Sequence, residues 1–190
     1  MEETVHRPLT WKGKLGTELW KIRGDLRKAS LSDSEKNFED AFAWLEWFLV
    51  TSAIVIRKLG KSGNLSEKVL SQNFSVERFD ADKIPFDEMM GEKHGTLFLD
   101  PEVATGKQIG LMTIMNEFIH SSLIAACQLP ENPNAISALM IGSKSRVDGN
   151  GKSHLLLVDL ESILDAIEEV VRDSWNYDKN TGMISIKEEE

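Results

Sequence analysis

The sequence is poor in the features that most readily disclose a function. It has one cysteine, Cys127, so no internal disulfide can form, and a free thiol in an apolar stretch behaves as a small hydrophobe. Lys and Arg total 22 against 31 Asp and Glu, a net charge of −9. That balance opposes broad, sequence-independent binding to nucleic acid, which needs a cationic surplus to displace counterions, although a local basic groove is compatible with it. No basic segment followed by an apolar run opens the chain, so no signal peptide is expected. The longest apolar run, residues 41–56, is interrupted by Glu46 and followed by Arg57 and Lys58, short of the roughly 20 residues that span a bilayer. A cytoplasmic protein without membrane contact is the expectation. There is no nucleoside-triphosphate loop, no Gly-x-Ser-x-Gly elbow and no calcium loop, and His6, His94, His120 and His154 show no metal-ligand spacing. Neither a metal nor a cofactor is expected.

What is present is apolar patterning. With 190 residues and 41% hydrophobic content, the chain suits one core, read as a single domain over 1–190 with an extended lead-in at 1–16 and a frayed tail at 187–190. Leu19, Ile22 and Leu26 predict a short helix over 17–29. Ser32 with Glu35 forms a capping-box pattern opening a long helix. Its stripe runs through Phe38, Phe42, Leu45, Leu49, Ser52, Ile56 and Leu59 to a C-cap at Gly60. Trp44, Trp47, Thr51 and Ile54 make a second stripe, which the first helix covers or which forms a homodimer interface through Trp44 and Trp47.

Residues 65–73 read as a short helix, 75–92 as irregular and 96–100 as a brief extended segment. The dense apolar series Ile109, Leu111, Met112, Ile114, Met115, Phe118, Ile119, Leu123 and Ile124 predicts one buried helix over 105–127. A turn follows at 128–134. Residues 135–141 and 154–158 flank turn chemistry and predict a hairpin. Asp159 caps a last helix that Trp175 closes, and 176–190 gives a weak signal for a second small hairpin. The fold class expected is mainly α: a helical bundle with a small β-hairpin before the last long helix and a short C-terminal hairpin.

The few polar residues of 105–127 line one strip, with Asn116 and His120 one turn apart and Glu117 and Ser121 beside them. Imidazole can exchange protons near neutral pH, which makes Asn116 and His120 the candidate catalytic pair. The competing reading is a packed histidine whose partner is Asn116. The run Met-Asn-Glu-Phe-Ile-His at 115–120 resembles the HEPN domains (higher eukaryotes and prokaryotes nucleotide-binding), whose RNA-cleaving members carry Arg, a polar residue, a few variable residues and His within a helical bundle. The Asn-x-x-x-His portion is present, and Met115 stands at the position of the arginine.

That resemblance implies RNA or nucleotide recognition in a bacterial stress or defence system, by a homodimer, with cleavage placed in doubt by Met115. Arg57 and Lys58, with Glu117 and Ser121, are the substrate-binding candidates under this reading. The alternative is a non-catalytic homodimeric module that binds a protein partner through Trp44 and Trp47.

Overall fold

The structure, a computed structural model, describes residues 6–32, 34–80, 104–129, 132–142, 154–173, 175–177 and 184–186. Two long helices come first, α1 (His6–Ser30) and α2 (Glu35–Lys61), then a single turn, α3 (Glu67–Leu70). Strands β1 (Asn73–Asp80) and β2 (Thr105–Gly110) lead into α4 (Leu111–His120). Strands β3 (Leu123–Leu129), β4 (Asn132–Gly142) and β5 (His154–Asp159) precede α5 (Leu160–Arg172), and β6 (Trp175–Tyr177) pairs with β7 (Ile184–Ile186).

This is an α+β fold, which corrects the mainly helical bundle. Strands β2-β1-β5-β4-β3, in that spatial order, form one five-stranded antiparallel sheet. The main departure is at 105–127, where one helix was expected and strand, helix and strand are found. Gly106 and Gly110 each disfavour a helix by about 1 kcal/mol relative to alanine. The segment 105–110 instead pairs with β1, from Asn73 opposite Gly110 to Arg78 opposite Thr105. Gly110 then serves as the N-cap of α4, and the Leu111 N–H donates to the Gln72 carbonyl at 3.0 Å. At the other end Ser121 turns extended (ψ 138°), and the Ser122 N–H donates to the Gly142 carbonyl at 2.8 Å, which starts β3 against β4. Cys127 therefore sits half-buried in a strand.

Other expectations shift by shorter distances. The lead-in is helical from His6. The α2 N-cap is Ser34, whose hydroxyl accepts from the Asn37 N–H, while the Ser32 hydroxyl accepts from the Ser34 N–H at 3.1 Å and the Asn37 amide at 2.8 Å. The helix continues past Gly60 to Lys61, and the left-handed residue is Gly63 (φ 69°). Residues 73–80 form strand β1, interior to the sheet, where helix and irregular chain were expected, and Trp175 opens β6 instead of closing α5. The pairing of 135–141 with 154–158, the Asp159 cap (Ser162 N–H at 2.7 Å) and the C-terminal hairpin are as expected. The extended segment at 96–100, most of 75–92, the turn at 143–153 and the tail at 187–190 lie outside the described residues.

Side chains alternate across the sheet. Phe74, Val76, Leu139, Ile141, Leu156 and Val158 join the helices in the main core, whereas Phe79, Met140 and Leu155 form a smaller cluster on the opposite face. Helix α1 packs on β4, α2 and α5, and α2 packs chiefly on α1 and α4. Gly16 permits the close approach of α1 to α5, since a Cβ there would lie 3.0 Å from Val171 Cγ1. Arg23 adds ion pairs to Glu161 and Asp165 at 2.6 Å. The buried Lys12 ammonium donates to the Asp173 carbonyl and lies 3.5 Å from its carboxylate, which also accepts from the Ser66 N–H at 2.9 Å. Burial lowers the Lys12 pKa from 10.5, and the nearby Asp173 carboxylate only partly offsets this. These contacts fix α1 against the end of α5, and thereby set the groove that α1 makes with α2.

Candidate functional site

Two places gather functional side chains. The first is α4, where the strip expected from sequence divides between core and surface. Leu111, Ile114, Met115 and Phe118 are buried, so the position that the resemblance gives to arginine is filled by a core methionine 1% exposed. Asn116 and His120 lie one turn apart as expected; His120 is exposed, and the Asn116 amide oxygen is buried and accepts no hydrogen bond. Ser121 caps the helix end, its hydroxyl donating to the Phe118 carbonyl at 2.8 Å.

Glu117 points inward. It is 6% exposed, and its Oε2 lies 4.0 Å from Nε2 of His154, the first residue of β5. His154 lies on the helix-covered side of the sheet, as do Leu156 and Val158 two and four residues on. The carboxylate–imidazole pair therefore joins Glu117 to His154, a partner that sequence separation conceals and only the register of β5 reveals.

The second place is a cleft of about 430 Å³ between α1 and α2. Trp11, Lys14, Leu15 and Glu18 line it from α1, at the 3- and 4-residue spacing of one helix face. Trp47, Phe48, Thr51, Ser52 and Val55 line it from α2. Leu15 and Phe48 are buried, and Ser52, fully buried, has a hydroxyl with no hydrogen-bond partner. An unsatisfied buried hydroxyl is unfavourable by roughly 1–3 kcal/mol, a cost that α2 bears beneath the cleft. Trp44 meets Trp47 edge-to-face at 5.9 Å and 85°, which holds the Trp47 indole in place. The Lys58 ammonium lies 4.5 Å from the Trp11 ring centroid.

Of the expected substrate-binding residues, Lys58 is thus brought to the α1/α2 cleft through Trp11. Arg57 is half-buried near the end of α2, within a turn of Gly60, where a Cβ would lie 3.0 Å from Met112 Sδ of α4. Trp44 and Trp47 are 58% and 51% exposed, so neither is covered by α1; Leu19 is buried there, whereas Trp20 is 78% exposed. Trp11, Lys14 and Ser52 were not anticipated as site residues, although the spacing of Trp11, Lys14 and Glu18 would have shown a shared face once 1–16 was read as helix.

Among the described residues no three His, Cys, Asp or Glu side chains converge as a metal site, and no helix is long and apolar enough to cross a membrane. Burial raises the Cys127 thiol pKa from 9.0, which disfavours the reactive thiolate. No family model, curated protein or solved structure matches the chain.

Proposed function

We propose that the protein recognises an unpaired nucleobase, carried on a nucleotide or a short RNA strand, in the α1/α2 cleft, and does so without turnover. The observation that carries this reading is the cleft walled by the indoles of Trp11 and Trp47. A planar base fits between apolar walls, and stacking on an aromatic side chain contributes about 1–3 kcal/mol per base. Thr51 and Glu18 supply hydrogen-bonding groups for a base edge, and Lys14 and Lys58 supply cations for a phosphate. The volume is within the usual range for a small-molecule site. A net charge of −9 favours a mononucleotide or short unpaired stretch over a long tracked backbone. Turnover is left out of the proposal because the position of the motif arginine is a buried methionine and methionine cannot hold a phosphate.

The test is calorimetric titration with the four ribonucleoside monophosphates and a short single-stranded RNA, on wild type and Trp47→Ala. Binding that weakens on the order of tenfold in Trp47→Ala is expected from the loss of stacking. Absence of binding by every ligand would overturn the reading. Incubating the same RNA with wild type and folded His120→Ala checks turnover, and cleavage lost with His120 would restore the catalytic role that the resemblance implies. A second reading, a homodimeric interaction module, is favoured by the exposure of Trp44 and Trp47.

A further inference from the structure

The outer stripe of α2 has an order of its own. Asp40, Trp44, Trp47, Thr51, Ile54 and Lys58 follow one another at alternating four- and three-residue steps, the spacing of a helix seam that meets another helix. Asp40 and Lys58 are exposed, Trp44, Trp47 and Ile54 are all more than half exposed, and Thr51 is half-buried beside the cleft. An acidic residue begins the stripe, a basic residue ends it, and the large apolar side chains lie between.

We infer that a second copy of this chain docks antiparallel along this stripe, about a two-fold axis at the level of Leu49. That axis sets Asp40 opposite the partner's Lys58, Trp44 opposite the partner's Ile54 and Trp47 opposite the partner's Thr51, each pair equidistant from position 49. An isologous two-fold contact requires such self-complementarity, because every residue pairing occurs twice with the roles exchanged. A parallel arrangement would oppose Asp40 to Asp40 and Lys58 to Lys58, with the repulsion that like charges bring. A foreign partner places no condition on the order of this stripe, whereas a second copy demands the order found: opposite charges at the two ends, and an apolar or small partner for each indole. From Asp40 to Lys58 the stripe rises about 27 Å along the helix at 1.5 Å per residue. Lys58 remains beside Trp11 and faces the partner's Asp40 from there. The stripe shares Trp47, Thr51 and Lys58 with the α1/α2 cleft, so a second copy docked on it borders that cleft, while its test needs no ligand.

The experiment is sedimentation equilibrium over a wide concentration range, read against the 21.4 kDa chain mass. Wild type is expected at twice that mass and Trp47→Glu at the chain mass, with circular dichroism confirming that the variant is folded. Asp40→Lys and Lys58→Asp are each expected to weaken association on the order of tenfold, because each places like charges at both ends of the seam. The double variant Asp40→Lys with Lys58→Asp restores it, and so does an equimolar mixture of the two single variants. A wild type that stays monomeric, a dimer indifferent to Trp47→Glu, or single variants rescued neither by the double variant nor by mixing would overturn the antiparallel pairing.

Discussion

Helices α2 and α4 meet where Gly60 approaches Met112, and they place their exceptional residues in opposite ways. On α2 the exceptions are apolar and outside: Trp44, Trp47 and Ile54 are each more than half exposed. On α4 they are polar and inside: Glu117 is 6% exposed beside His154, and the Asn116 amide oxygen is buried. An exposed indole contributes little to the fold that bears it and offers area to a partner. A buried carboxylate is costly unless paired, so the pair at α4 serves to specify how that helix sits on the sheet. The outer face of α2 is thus where binding is tested without loss of fold, and the inner face of α4 is where the fold is tested.

The largest effect belongs to the inside. Glu117→Ala leaves His154 without its carboxylate and opens a gap, and should lower unfolding free energy by about 2–3 kcal/mol in a urea titration. A change below about 0.5 kcal/mol, the size of an ordinary surface substitution, would remove the contrast between the two helices. Ser52→Ala comes next and tests the buried polar exception of α2. Because its hydroxyl has no partner to lose, the fold should be unchanged or up to about 1 kcal/mol more stable. Base binding should be unchanged, because the hydroxyl is closed off from the cleft, and calorimetry beside denaturation reads both quantities.

The smallest effect comes from Glu46, the half-buried acid of α2, whose pKa burial raises above 4.5. A raised folded-state pKa means that this group favours folding below the unfolded value of 4.5, and that this contribution is lost as pH rises through the folded value. Glu46→Gln should therefore melt slightly higher than wild type at neutral pH, the difference vanishing below pH 4.5. Parallel melting curves across that range would show that Glu46 does not respond to its burial.

The elements legible in the sequence are those whose signals are local. Helix α2 declared itself by a long single stripe, α5 by its Asp159 cap, and the β4/β5 pairing by turn-rich chemistry between two apolar runs. Strand β1 did not, because its alternation is short: Phe74 and Val76 are buried with Ser75 and Glu77 exposed between them, but Phe79 falls on the opposite face in the smaller cluster and breaks the pattern. Strand β2 holds one large apolar residue, Ile109, which reads as the start of the apolar series of α4, and β3 is a short apolar run of the kind that periodicity does not distinguish from helix. At the sites, the Asn116–His120 spacing was visible because it is one helical turn. The Glu117–His154 contact depends on sheet register and the empty bonding capacity of Ser52 on helix packing, and neither is written in local sequence.

The strand order also has a consequence for synthesis. In the sheet β1 lies between β2 and β5, and its second neighbour begins only at His154. At about 5–20 residues per second the ribosome needs on the order of 4–15 s to pass from Asp80 to His154. Throughout that interval a strand that will lie inside the sheet is an open edge, with the Val76 to Asp80 backbone that will bond β5 available to any other strand. A chain halted before His154 lacks the middle strand β5 and carries β1, a strand meant for the interior of the sheet, as an exposed edge.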